Sequence, residues 1–171
     1  YASSREAETR LFIDTARRLN LPLDFYIYSK DERAEKAFGQ AGITYLNQQS
    51  ALTFEQNLQK VQQCEVVVDF VSPDHQGLSF RLFDALRFDK KVITTNQAVT
   101  HYDFYRPENI FVWDGRNLDG LTDFLKQPYV HIAPEIKNCY SFQGWLKQVL
   151  SSAVMPSTII ERINAECVRN F

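Results

Sequence analysis

Methionine occurs once in these 171 residues, cysteine three times, and glycine and proline six times each. So small a stock of chain breakers excludes a collagen-like repeat or a low-complexity linker and leaves most of the chain to regular elements. The cysteines, Cys64, Cys139 and Cys167, are odd in number, far apart and without metal-ligand spacing. A disulfide scaffold is excluded on that ground, and three free thiols in a reducing compartment are expected. No run approaches the roughly 20 apolar residues of a membrane span. The opening Tyr1-Ala2-Ser3-Ser4 is no signal peptide, so the cytoplasm is the expected location. One-sided charge is missing too: 19 Lys and Arg stand against 21 Asp and Glu, a net charge of −2. That disfavours a broad phosphate-neutralising surface, and no nucleic-acid partner is expected. A Gly-x-Gly-x-x-Gly turn is also lacking, which sets an NAD-binding oxidoreductase low.

What is present is ordinary globular composition with many rings: 44% hydrophobic, 23% charged, 13 Phe and 8 Tyr. The length suits one domain over residues 1–171 with a substantial core, and residues 151–171 read as a C-terminal helical extension. Position 1 is not Met, so a trimmed or processed chain is expected.

The organising stretch is Glu65 to Asn96. Val66 to Val71 is nearly continuous and β-branched, as a parallel strand buried on both faces should be. Gly77 to Phe88 has the length of a crossover helix, and Val92-Ile93-Thr94-Thr95 is the next strand. Ligands of open parallel sheets sit at the carboxyl ends of strands, which places Ser72 to Ser79 and Thr95-Asn96 at the mouth of a site.

The flanks follow the same alternation. Ser3 to Glu6 has capping-box spacing ahead of a helix with Ala7, Leu11, Phe12, Ala16 and Leu19 on one face. A helix there implies a preceding strand, just upstream or reduced to Tyr1-Ala2, and would put Ser4 and Arg5 in a strand-to-helix turn that favours an anion. The competing reading is a well-capped helix and no more. Phe25 to Tyr28 reads as a strand, Ser29 to Glu32 as the box of a helix ending at Gly39, and Ile43 to Leu46 as a strand. Thr53 caps a helix with Phe54, Leu58 and Val61 facing the core. Ile110 to Trp113 is one more strand, and Leu118 to Leu125 a short helix. Gln127 to Asn138 is an extended connection, and Ser141 caps a helix bearing Phe142, Trp145, Leu146, Val149 and Leu150. Thr158 to Glu161 opens the last helix.

In the central loop, Gly77 at the start of a helix allows close backbone approach and leaves the N–H groups of Leu78, Ser79 and Phe80 open to an anionic diphosphate. Leu82, Ala85 and Leu86 face inward, while Arg81 and Asp84 share another side. Arg81 could neutralise phosphate and Asp84 accept hydrogen bonds from sugar hydroxyls. Spacing alone favours a solvated i, i+3 ion pair. His75 lies in the cleft and is a lesser candidate. His131 reads as structural. Ser72 and Ser79 have no paired base, which disfavours nucleophilic hydrolysis.

Gly77-Leu78-Ser79-Phe80-Arg81-Leu82-Phe83-Asp84-Ala85-Leu86, followed by Lys90 to Asn96, resembles the donor-binding segment of bacterial GT-B glycosyltransferases. His101 to Ile110 and the Tyr140 to Leu150 helix resemble the same group, especially members that assemble surface polysaccharide and lipopolysaccharide. The likeness implies a Rossmann-like three-layer αβα domain with a mostly parallel sheet, one half of a GT-B fold. It implies Gly77, Leu78, Ser79 and Arg81 on the diphosphate, Asp84 at the acidic donor position, and the base near Tyr45, Leu46 and Asn47. Departures are Asp84 for the usual Glu, Asp89 for a small residue, and Gln76 for an acid.

The expected activity is transfer of a sugar from a nucleotide-diphosphate donor to a cell-surface glycan acceptor, with no cofactor and no metal. An N-terminal Rossmann-like domain outside this chain would carry the acceptor site, and the acceptor alone would bring the protein to the inner membrane face. The alternative is a partner-docking module that has lost its donor site.

Overall fold

A computed structural model describes residues 6–28, 42–71 and 77–152. The chain divides into two compact units, residues 1–130 and residues 131–171. The first alternates helix and strand: α1 (Glu6–Arg18), β1 (Phe25–Tyr28), β2 (Ile43–Leu46), α2 (Phe54–Gln63), β3 (Val66–Asp69), α3 (Phe80–Arg87) and β4 (Lys91–Thr94). A 3-10 turn (Gln97–His101), β5 (Ile110–Val112) and α4 (Leu121–Lys126) complete it. Every strand pairing is parallel, and parallel strands in this alternating order make a Rossmann-like α/β fold.

Two ladders are present, β2-β1 and β3-β4-β5, and among the described residues no ladder joins β1 to β3. Val67 lies opposite Val92, and Ile93 opposite Phe111. A single core nevertheless serves both ladders. Phe12 of α1 sits 5.9 Å from the Phe25 ring and 5.7 Å from the Phe70 ring, and Phe70 packs edge-on to Trp113 at 5.4 Å. Ile93, Leu121 and Phe124 complete the cluster, with Val66 and Val68 packed against it. Each fully buried ring or branched chain contributes about 1.5–3 kcal/mol. On α3, Leu82, Ala85 and Leu86 are buried, as their spacing predicts.

Helix ends are set by local chemistry. Asn20 takes a left-handed φ of 53° after α1, and Leu21 N–H returns to the Ala16 carbonyl at 2.8 Å. Asp89 does the same after α3, with φ 54° and Lys90 N–H on the Ala85 carbonyl at 2.9 Å. Glycine is the usual residue there. Asp89 instead accepts a hydrogen bond from Tyr129, whose phenol is pushed up by burial and by the Asp89 charge. Lys91 is buried, donates to the carbonyls of Phe124 and Gln127 at the end of α4, and has its pKa lowered by that burial. Asn109, also buried, exchanges two hydrogen bonds with the Val130 backbone at 2.7 and 2.8 Å.

Several expectations need correction. Phe54 does not face the core: at the first position of α2 it is 74% exposed. Leu19 lies beyond α1 in its terminal turn and is also exposed. β3 stops at Asp69, and α3 begins at Phe80 rather than Gly77, because Gly77 adopts a φ of 85°. Residues 127–138 are not wholly extended, since α5 (Pro134–Cys139) forms with Pro134 at its start, where a missing N–H costs nothing.

In the second unit, α5 is followed by α6 (Phe142–Ser152), and Ser141 caps it as expected: its hydroxyl accepts from Gly144 N–H at 3.0 Å. Ser4, Arg5, Ser72, His75 and Gln76, the helix from Ser29 to Gly39, and the segment after Thr158 lie outside the described residues.

Candidate functional site at the carboxyl ends of the strands

The loop after β3 reaches α3 through Gly77, whose positive φ suits glycine and whose open side meets nothing within 4 Å. Ser79 follows at the N-cap with extended backbone, φ −77° and ψ 156°, yet its hydroxyl makes no cap bond and no acidic residue lies in the first turn. That hydroxyl is buried without a hydrogen-bond partner. The helix therefore presents a positive dipole end with no side chain spent on neutralising it.

Arg81 leans over this end. Its Nη1 is 3.4 Å from Asp69 Oδ1, with the arginine side chain 55% exposed and the aspartate 2%. Asp69 Oδ2 has no partner. An acid inside a β-branched run is costly to bury unless paired, so this ion pair offsets part of a desolvation penalty and also fixes the guanidinium above the strand end. The i, i+3 pair between Arg81 and Asp84 is not the contact Arg81 makes. Asp84 is half-buried, and burial raises its pKa against the lowering influence of Arg87 and Arg81.

Asn96 is tied into the scaffold. Its Nδ2 donates to the Gly77 carbonyl at 2.9 Å, and its Oδ1 accepts from Ala98 N–H at 3.0 Å. Thr95 Oγ1 accepts from Val71 N–H at 2.9 Å, closing the strand end against its neighbour. Gly77, Ser79, Arg81 and Asn96 thus come together on α3, β3 and β4, with Leu78 in the same turn. Leu46 and Asn47 do not join them: they end β2, the outermost strand of the other ladder. Asn47 Oδ1 is engaged by Gln49 and Ser50 N–H groups at 2.9 and 3.0 Å.

Between the ladders runs a cleft of about 400 Å³, lined by all of β1, by Val66 to Val68, Val61, Lys60 and Phe70, and by Glu6 and Arg81. Lys60 crosses it to Asp24 at 3.6 Å and lies 4.9 Å from the Tyr26 ring centre. Cys64 also lines it, half-buried, with burial raising its thiol. Among the described residues no cluster of three His, Cys, Asp or Glu side chains could hold a metal, and no helix is long and apolar enough to cross a membrane.

Sequence reasoning missed Asp69 and Asn109. The signal for Asp69 was available, since a carboxylate within Val66 to Val71 must be buried and must find a cation.

The fold places the chain among Rossmann-like α/β proteins. No family model, curated protein or solved structure matches it.

Proposed function

We propose that this chain is the nucleotide-sugar-binding half of a GT-B type glycosyltransferase that passes sugar from a nucleotide-diphosphate donor to a surface glycan. The observation that carries the reading is the start of α3, an uncapped helix end reached through Gly77 with Arg81 held beside it. As the glycosidic C–O bond breaks, negative charge grows on the departing diphosphate, and oriented N–H groups with a guanidinium stabilise it. Asp84 follows further along the same helix, as an acceptor for the sugar's hydroxyl donors. The acceptor site belongs on the other domain, so this half binds donor and turns over little.

Asp69 complicates the obvious variant, because Arg81→Ala strands its carboxylate. The test is therefore calorimetry with UDP, GDP, CMP and their sugars on Asp69→Asn and on the double variant Asp69→Asn/Arg81→Ala. Loss of one charge-assisted phosphate contact, about 1.5–3 kcal/mol, weakens binding roughly 10- to 100-fold. Equal affinities in the two variants, or no binding to any nucleotide, remove the reading.

A second reading, a partner-docking module, draws on α6, where Phe142, Trp145 and Val149 are 72%, 54% and 44% exposed. Light scattering that shows self-association abolished by Trp145→Ser, together with silent calorimetry, would favour it.

A further inference from the structure

The cleft between the ladders has the backbone chemistry of a strand position. In a parallel ladder each residue directs both backbone groups to one neighbour and the next residue directs its groups to the other. Phe25 N–H bonds the Gly42 carbonyl at 2.8 Å, so Phe25 and Ile27 serve β2 while Tyr26 and Tyr28 face away from it. Lys91 N–H bonds the Glu65 carbonyl at 3.2 Å and Thr95 N–H the Asp69 carbonyl at 3.3 Å, which assigns Glu65, Val67 and Asp69 to β4 and turns Val66 and Val68 outward. These two outward edges both line the cleft. Val66 and Val68 are only half-buried, although their side chains pack on the shared core.

We propose that the cleft seats a further β-strand, parallel to β1 and β3, formed by polypeptide that leads directly into α1. Topology names this occupant. A strand, a helix packed on the sheet and a second parallel strand form a right-handed unit whose strands are neighbours. α1 packs across both ladders through Phe12 and runs into β1. The strand that feeds α1 belongs beside β1, and one edge of β1 is already taken by β2. The open edge is the cleft, and Glu6 and Thr9 in the first turns of α1 line it. The sheet then runs β2, β1, the new strand, β3, β4, β5. A central parallel strand is covered on both faces, so the occupant is a short β-branched apolar run.

The test fuses six residues, Val-Thr-Val-Ile-Val-Thr, ahead of Tyr1 and compares them with six Gly-Ser residues. Amide exchange is read at Tyr26, Tyr28, Val66 and Val68, with mass by sedimentation. The β-branched extension slows these four amides by about 100-fold or more and raises the unfolding midpoint, in a monomer. The proposal is overturned if the four amides exchange equally in both proteins. It is overturned equally if they are already slow with Gly-Ser, because β1 and β3 pair directly or a second copy fills the cleft, or if the apolar extension lowers the midpoint.

Discussion

β3 and β4 are adjacent four-residue strands in register, both apolar in sequence, yet all four residues of β4 are buried while β3 alternates between half-buried and buried. The difference is in their neighbours. β4 has a strand on each edge, whereas β3 has one strand and one cleft. Hydrophobic sequence thus sets which residues want to be covered, and topology decides which of them are.

The largest effect tests that contrast directly. Ile93→Ala in β4 should lower unfolding free energy by about 3 kcal/mol, whereas Val68→Ala in β3 costs about 1 kcal/mol. Chemical denaturation measures both, and equal losses would break the comparison. Lys91 is the polar exception within the fully buried strand. Lys91→Met leaves the Phe124 and Gln127 carbonyls without a donor and should cost about 2 kcal/mol in the same assay. At the turn joining α3 to β4, Asp89→Ala keeps the left-handed strain and loses the Tyr129 bond. It should be about 1 kcal/mol less stable than Asp89→Gly, measured by thermal unfolding.

The smallest effect is the pH response of Asp84. Its folded pKa is raised, so the native state holds a proton that the unfolded chain has released over the interval between the ordinary and raised values. Stability from this group is therefore lost as pH climbs through that interval. Asp84→Asn removes the dependence, and its stability advantage should grow from about pH 3 upward and then level off. A difference that shrinks with rising pH contradicts the burial of Asp84.

Much of the fold was legible because period and length are local properties. Phe25–Tyr28, Ile43–Leu46 and the Thr53 cap follow from β-branching and capping chemistry, and the cap is a full box with Gln56. Leu82, Ala85 and Leu86 follow from helical spacing. Phe54 was misplaced because the first helical position can point clear of the face that later turns bury. Pro134 misled because proline both breaks a helix and starts one. The site was legible in part. The Gly77 turn and the placement of Arg81 near a strand end follow from the βαβ pattern. The partner of Arg81 does not, since Asp69 lies 12 residues away and only the fold brings the two charges together.

Gly144 in α6 stands where an added Cβ would collide with the Asn138 carbonyl oxygen. Even a methyl group must therefore push the backbones of the last two described helices apart, whatever helix propensity it adds. In a saturation library this corner would behave as a fixed letter in an otherwise permissive stretch, surrounded by exposed neighbours such as Gln143 and Lys147 that tolerate almost any polar replacement.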